Sequence, residues 1–200
     1  METVSFLDRV TSDMQLAVMK MRMQPIQKVF SKFPRLVRDI SASVKKDVEL
    51  EIFGEGTEVD KTVIEHIGDP MTHILRNSID HAIESAEERA AKGKPAKGKI
   101  TINTFQKGTQ IVIEIIDDGK GMDVNKLKRK ALEKGLITED EAQKMTDEAA
   151  VDLIFLPGFS TKEVATELSG RGVGMDVVKT NISLLNGYVE VSTEKNVGTT

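Results

Sequence analysis

One segment of the sequence carries several short polar side chains that could bind or transform a ligand. Across residues 71–86 apolar side chains recur at three- and four-residue steps, which predicts a helix with one face in a core. The other face gathers polar groups in a stripe about 100° wide. These groups are His73, Asn77, Asp80, His81 and Glu84. A solvated helix face more often carries long charged side chains, because His, Asn and Asp are poor helix formers. The stripe is a candidate ligand-binding face, and an ordinary wet helix surface is the alternative.

A carboxylate followed by two glycines forms a second candidate. Residues 111–116 are apolar except for Glu114 and predict a strand that runs directly into Asp117-Asp-Gly119-Lys-Gly121. A carboxylate fixed at a strand end can accept a hydrogen bond from the exocyclic amine of a base, and glycines let a ligand approach the main chain. Taken alone, this motif is equally typical of an Asp- and Gly-rich turn.

The third candidate is the glycine-rich sequence Gly170-Arg-Gly-Val-Gly174, which precedes a helix predicted from Met175. The N-terminus of a helix offers backbone N–H groups and the positive end of a dipole, so this loop could cradle phosphates. It does not fit the dinucleotide fingerprint, which needs a third glycine at Met175, and it is not a Walker loop. A purely structural glycine turn is the alternative.

The pattern divides the chain into a helical segment, residues 1–46, and an α/β domain, residues 47–200. Apolar residues recur with helical spacing up to Pro25 and again from Val29 to Val44, with Pro34 as a boundary or kink. Two such helices have too little chain to bury both apolar faces. We expect them to pack on a partner, most simply a second copy of this chain.

Strands and helices alternate in the larger part. The predicted strands span residues 48–53, 99–105, 110–116 and 188–193, with another beginning at 198. The predicted helices after the Asp-Gly motif span residues 123–134, 138–145, 147–155 and 175–185. The fold class is α+β, a two-layer α/β sandwich with helices on one face of a mixed, mostly antiparallel sheet.

Four lysines before the predicted hairpin, Lys92, Lys94, Lys97 and Lys99, are interspersed with glycine and proline. This composition is typical of a solvated loop.

Composition narrows the function further. The 200 residues include 28 Lys and Arg against 32 Asp and Glu, a net charge of −4 without large blocks. The charge gives no strong case for a nucleic-acid partner or for binding to an anionic membrane, and we expect no insertion into a membrane. Cysteine is absent, which excludes disulfides and thiolate metal sites, and no apolar run is long enough to span a bilayer. We expect a cytoplasmic protein.

Four motifs, in order, resemble the N, G1, F and G2 boxes of histidine kinases, and their lettering is similar to that of the chemotaxis kinases. They are His73-Ile-Leu-Arg-Asn77-Ser-Ile-Asp80-His81, Asp117-Asp-Gly119-Lys-Gly121, Phe159-Ser-Thr-Lys162 and Gly170-Arg-Gly-Val-Gly174-Met-Asp. Arg22-Met-Gln-Pro25-Ile resembles the end of the dimerisation hairpin of those kinases, and Gly198-Thr resembles the start of a G3 box.

The resemblance implies a Bergerat-type ATP-binding fold, shared with gyrase, Hsp90 and MutL ATPases, preceded by an α-helical dimerisation segment. It implies that Asn77 holds Mg²⁺ and that Asp117 binds the adenine amine. His73 occupies a position where many relatives have a carboxylate general base, and an imidazole can also accept or orient a proton. Residues 120–169 are then the ATP lid. The residues implied to surround ATP are Asn77, Asp80, His81, Asp117, Gly119, Gly121, Met122, Lys126, Lys130, Ser160, Thr161, Gly170, Arg171, Gly172, Val173, Gly174, Met175 and Thr199.

The implied activity is transfer of the ATP γ-phosphoryl group to a histidine. None of the three histidines of this chain, His66, His73 and His81, has the setting of an acceptor, so the acceptor is expected on a separate histidine phosphotransfer domain. The implied partners are a second copy of the kinase, and a chemoreceptor with its coupling protein through regions outside this chain. An ATP-hydrolysing conformational switch and an inactive nucleotide-binding or dimerisation module are the alternatives, the first disfavoured by His73 and by the N-terminal segment.

Overall fold

The computed structural model describes residues 2–159 and 174–200, which form helices on a five-stranded sheet. The strands are β1 (Met23–Pro25), β2 (Val48–Phe53), β3 (Glu58–Asp60), β4 (Gly98–Lys107), β5 (Gln110–Asp117), β6 (Thr193–Glu194) and β7 (Gly198–Thr199). The α-helices are α1 (Glu2–Arg22), α2 (Gln27–Phe30), α3 (Phe33–Ser43), α4 (Lys61–His66), α5 (Gly68–Asn77), α6 (Ala86–Ala91), α7 (Val124–Glu133), α8 (Glu139–Lys144), α9 (Asp147–Val151) and α10 (Met175–Leu184).

The main sheet has the strand order β2-β4-β5-β7-β6. Only the β2–β4 pair is parallel, and β4 and β5 form the hairpin that the alternating pattern predicts, with Ile100 opposite Asp117. β7 adds antiparallel to the end of β5, where Asp117 pairs with Thr199. The predicted α+β class with a mixed, mostly antiparallel sheet is confirmed.

The core lies between one face of this sheet and the helices. Ile100 and Ile102 of β4 are fully buried in one cluster with Leu75 of α5 and with Ile79, which follows that helix. Phe33 is also fully buried in this cluster, because α3 packs against β2 and α5. The expectation that both N-terminal helical segments need a partner is therefore wrong for α3, which covers the sheet of its own chain.

Helix α1 differs from α3, because many of its apolar side chains are exposed. These residues are Phe6, Leu7, Val10, Met14, Val18, Met19 and Met21. Packing of this helix on a second copy stays a prediction, as does the division of the chain at residue 46. No helix among residues 2–159 and 174–200 combines the length and the apolar character needed to cross a bilayer.

A second, smaller cluster of buried apolar side chains lies among α7, α9 and the residues that follow α9. Ala131 of α7, Ala150 of α9 and Leu153 of the following 3₁₀ turn (Asp152–Phe155) are buried together with Phe159. The three helices predicted here exist, and Thr138 and Glu141 form the predicted capping box. This part of the proposed lid thus has its own apolar centre.

The predicted helix over residues 71–86 is wrong at its second half. Helix α5 begins at Gly68 and continues beyond Asn77 as a π turn, Ser78–Ala82, after which Ile83 is extended. Ser85 then starts α6 through a capping box with Glu88, and this local cap competes with continuation of the first helix. Glu84 consequently leaves the polar stripe and lies buried against Arg89.

The predicted strand over residues 188–193 is also longer than the observed one. Regular pairing begins at Thr193, although the backbone of Ser192 exchanges two hydrogen bonds with Thr200. The strand is short because its described neighbour, β7, is itself only two residues long.

Candidate functional site

Asp117, the last residue of β5, is the centre of the candidate site. Its carboxylate is 6% exposed and accepts hydrogen bonds from the Ser78 hydroxyl (3.2 Å) and from the Gly119 N–H (3.0 Å). Burial raises the pKa of Asp117, while these bonds and one from the Thr199 N–H act in the opposite direction. The carboxylate is thus held by three donors, which lie in the π turn, in the turn after β5 and on β7, and such a group can accept a hydrogen bond from a ligand.

The glycines beside Asp117 are required by close backbone contacts. A side chain on Gly198, which has φ of +152°, would place its Cβ 1.9 Å from the Asp117 carbonyl oxygen. Gly121 has φ of +64° and would place a Cβ 2.2 Å from the Glu194 carbonyl oxygen. The turn after β5 and the β6–β7 hairpin can pack this tightly only because both positions are glycine.

Met122 and Thr199, two further residues of the predicted set, join the same assembly. The Met122 N–H donates to the Thr193 hydroxyl at 2.9 Å, and that hydroxyl lies 3.0 Å from the Thr199 hydroxyl. The structure therefore brings Asp117, Gly119, Gly121, Met122 and Thr199 together at one end of the sheet.

Replacement of Gly119 by Ala is expected to destabilise the site. Its Cβ would lie 2.4 Å from the Ala82 carbonyl oxygen, which must move away and carry the π turn with it. We expect a loss of about 1–3 kcal/mol in the free energy of unfolding in urea, together with weaker ADP binding. Gly56→Ala is the matched control, because a Cβ there meets no atom within 4 Å and φ is not positive. Equal stability of the two variants would contradict the close packing.

Asn77 ends α5 and touches the first residue of α10. Its side-chain amide nitrogen donates to the Met175 sulfur at 3.3 Å. Gly174, the N-cap of this ten-residue helix, provides no side-chain cap. The polar end of α5 thus meets a helix N-terminus, an arrangement suited to an anion and an accompanying cation.

The remaining polar residues of the stripe lie on either side of Asn77. His73 is half-buried one turn earlier, Asp80 is half-buried in the π turn, and His81 is exposed there. The Lys46 ammonium, which was not among the predicted residues, donates to the carbonyls of Ile79 (2.7 Å) and Asp80 (2.9 Å). Burial, reinforced by the charge of Lys120, lowers the pKa of Lys46. The linker before β2 therefore supports the π turn.

Lys126 and Lys130 lie on α7. Lys126 is exposed, and its backbone N–H bonds the Asp123 cap. The Lys130 ammonium lies 4.9 Å from the centre of the Phe159 ring, in the small apolar cluster, and burial lowers the pKa of Lys130. A reach from either lysine to a phosphate stays a prediction. Other predicted contacts lie outside the described residues: Ser160, Thr161, Gly170, Arg171, Gly172 and Val173.

Three side chains that contact Asp117 or the turn after it were missed or misjudged from sequence. Ser78 falls on the apolar face of the predicted helix, yet it binds Asp117; a lone hydroxyl on that face was the available signal. Arg89 is completely buried beneath the turn after Asp117. Lys94 is not solvated as expected, because its side chain is only 15% exposed and donates to the carbonyls of Asp118 and Gly119.

The described residues offer few ligands for a divalent cation. Over residues 2–159 and 174–200, no three His, Cys, Asp or Glu side chains group to hold a metal ion. Asn77 can supply one side-chain oxygen. This single ligand fits Mg²⁺ that arrives with phosphate oxygens and retains water, rather than a metal resident in a protein cage.

The sequence of this chain is similar to those of known ATPases and kinases. Residues 66–200 match the family described as histidine kinase-, DNA gyrase B-, and HSP90-like ATPase. The sensor histidine kinase CheAY of Helicobacter pylori is 57% identical over 199 residues, covering 100% of this chain and 25% of that protein. The chemotaxis protein CheA of Bacillus subtilis is 46% identical over 197 residues, covering 98% of this chain and 29% of that protein. The chain thus spans between a quarter and a third of the length of these curated relatives.

Among solved structures, the histidine kinase domain of the Erythrobacter litoralis EL346 blue-light activated histidine kinase aligns with a TM-score of 0.47 and 15% identity, covering 89% of this chain and 64% of that one. This likeness is too loose to add to the fold assignment.

Proposed function

Because this chain belongs to the histidine kinase-, DNA gyrase B- and HSP90-like ATPase family, as its motifs predicted, we propose that it is the ATP-binding catalytic part of a chemotaxis-type histidine kinase. The observation that carries this proposal is the buried Asp117 carboxylate at the end of β5, enclosed by tightly packed glycine turns. The adenine amine donates to this carboxylate, which the Ser78 hydroxyl and the Gly119 N–H hold in place.

The phosphates are proposed to lie between the C-terminal end of α5, at Asn77, and the N-terminal end of α10, at Met175. The N-terminus of α10 supplies a favourable dipole, and the Asn77 oxygen binds the cation that accompanies the nucleotide. Bound Mg²⁺ would neutralise charge on the phosphates. His81, Lys126, Lys130 and the glycine loop before Gly174 are further proposed phosphate contacts.

The proposed reaction is in-line transfer of the γ-phosphoryl group to a histidine of a separate phosphotransfer domain. An unprotonated nitrogen of the acceptor imidazole forms the N–P bond, and the bond between the γ-phosphorus and the bridging oxygen breaks to release ADP. The proton on the other imidazole nitrogen must leave as the phosphohistidine forms. His73, one turn before Asn77, is the proposed group that accepts or orients this proton.

A labelling experiment tests the function. The chain is incubated with γ-labelled ATP and Mg²⁺, with and without an added histidine phosphotransfer domain from a chemotaxis kinase. We expect label on the added domain, and none when Mg²⁺ is chelated. Release of phosphate at the same rate without the domain would instead indicate a hydrolytic switch, and absence of both label and phosphate would indicate a binding module.

The remaining partners are proposed for the whole protein. The exposed apolar side chains of α1 support a homodimer formed through this helix. The relatives named chemotaxis proteins support a role in chemotaxis. A cytoplasmic location, and contacts with a chemoreceptor and a coupling protein through regions outside this chain, are proposed together with that role.

The proposed base contact predicts a pH dependence of binding. The carboxylate accepts a hydrogen bond from the adenine amine most strongly when it is ionised, and burial raises the pKa of Asp117 from its usual value. ADP affinity should therefore fall as the pH is lowered through this raised pKa, before ordinary aspartates become protonated. Calorimetric titrations from neutral pH downward, over the range in which unfolding curves show the protein folded, measure the effect. The Asp117→Asn variant provides the baseline, because any pH dependence that it retains belongs to the nucleotide or to other groups.

A further inference from the structure

A network of charged side chains, centred on the buried Arg89 and Glu84, lies beside the turn that follows Asp117. Its positive members are Arg89 of α6 and two lysines of the loop after α6, Lys92 and Lys94. All three pair with the buried carboxylate of Glu84. Burial acts to raise the pKa of Glu84, but hydrogen bonds from Lys92 and Lys94 outweigh it, so the pKa is lower than usual and the group stays ionised.

Arg89 binds the turn through Asp118, the residue after the proposed adenine ligand. The guanidinium is fully buried and donates to both Asp118 carboxylate oxygens, at 3.1 and 2.7 Å, and to its carbonyl at 3.2 Å. Two more donors bind the carbonyls of Pro95 and Lys97. A guanidinium presents its donors in a rigid fork, so it can bind several acceptors of one backbone segment at once.

Lys94 holds the same turn from a second direction. Its ammonium donates to the carbonyl of Asp118 at 2.8 Å and to the carbonyl of Gly119 at 2.6 Å. Gly119 is the residue whose N–H binds the Asp117 carboxylate. Lys94 therefore fixes a peptide group that in turn fixes the carboxylate.

We propose that Arg89 and Lys94 are positioning residues for base recognition: they clamp the Asp118–Gly119 backbone so that the Asp117 carboxylate meets the exocyclic amine of adenine. This inference rests on the proposed function of Asp117. The clamp acts through Asp118 and Gly119 and touches no ligand. Its loss should weaken discrimination between purines rather than binding to the phosphates.

Lys92 provides a matched control for Lys94. Each ammonium pairs with the same Glu84 oxygen, at 3.1 Å for Lys92 and 3.3 Å for Lys94, but only Lys94 donates to the turn carbonyls. The variants Lys94→Met and Lys92→Met thus remove the same charge from the same carboxylate. Asp118→Asn weakens the Arg89 side of the clamp and is a second test should Lys94→Met not fold, because the Asp118 side chain is 37% exposed.

The measurement is the ratio of the dissociation constants of inosine diphosphate, which lacks the exocyclic amine, and of ADP. Each is determined by calorimetry at a temperature where unfolding curves show the variant folded. We expect the parent to prefer ADP, Lys94→Met and Asp118→Asn to lose about tenfold of this preference, and Lys92→Met to change it less than about twofold.

A purely structural role for the clamp would lower the unfolding temperature and leave the ratio intact, and that result would overturn the inference. So would an equal loss in Lys92→Met, because it would trace the effect to Glu84. If the parent itself shows no preference for ADP, the proposed base site of Asp117 fails, and the clamp fails with it. If the parent and the clamp variants all prefer ADP to inosine diphosphate to the same degree, the clamp is rejected and the base site of Asp117 is not.

Discussion

Replacement of Asp117 by Asn is expected to weaken ATP binding by about 30–100-fold, which corresponds to about 2–3 kcal/mol. The amide can present an N–H group to the adenine amine, which also donates, so a charge-assisted hydrogen bond is lost and two donors face each other. The affinity is measured by calorimetry in the presence of Mg²⁺. Glu114→Gln is the control, because it removes the same charge from the same strand and its amide can still bond Asn103.

The Asp117→Asn variant should keep the stability of the parent, and this separates a role of Asp117 in binding from a role in folding. Burial raises the pKa of Asp117, so the folded protein binds this proton more tightly than the unfolded chain does. The contribution of Asp117 to stability therefore falls as the pH rises through that pKa, and at neutral pH the ionised group is held at a cost. A neutral amide removes this cost while losing charged hydrogen bonds. We expect an unfolding temperature within about 3 °C of the parent. An unchanged ATP affinity would contradict the assignment of Asp117 to the base.

Replacement of His73 by Ala is expected to slow phosphoryl transfer by about 10²–10⁴-fold while ATP affinity changes less than about twofold. The reason is that a general base acts on the proton lost during transfer and not on the bound nucleotide. The rate is measured in single turnovers with γ-labelled ATP and an added phosphotransfer domain, and the affinity by calorimetry.

Two further variants make the His73 result specific. His66→Ala removes an exposed histidine at the end of α4 and should leave both quantities unchanged. His73→Glu places a carboxylate, which can also act as a general base, at this position and should restore part of the rate lost in the Ala variant. Equal losses of affinity and rate in His73→Ala would make His73 a ligand contact instead of a catalytic residue.

Features that depend on local spacing were predicted well. The β4–β5 hairpin follows from alternation on both sides of a short turn, and Asp117 lies at its end as expected. The capping box of Thr138 and Glu141 was likewise predicted, because the motif lies within four consecutive residues. Such features need no knowledge of distant residues, because strand alternation and helix caps are set by near neighbours.

The helix that carries Asn77 shows where local spacing fails. Its apolar period continues to Ala86, yet the chain passes into a π turn after Asn77, and Ser85 starts a new helix. The spacing of apolar residues cannot indicate this change. A π turn alters the rotation per residue, and the faces of the predicted helix were assigned with the rotation of an α-helix. Glu84 is displaced from the polar stripe for this reason.

The sequence by itself determined the family, the order of the nucleotide motifs and the identity of Asp117 as the candidate base ligand, because these follow from residue types at short, fixed spacings. The tertiary structure alone decided which side chains hold that carboxylate. Ser78 reaches Asp117 across 39 residues, and Lys94 reaches the Gly119 carbonyl across 25. Partners of this kind are selected by burial, where an unpaired polar group is costly, and burial arises only once separate elements pack together.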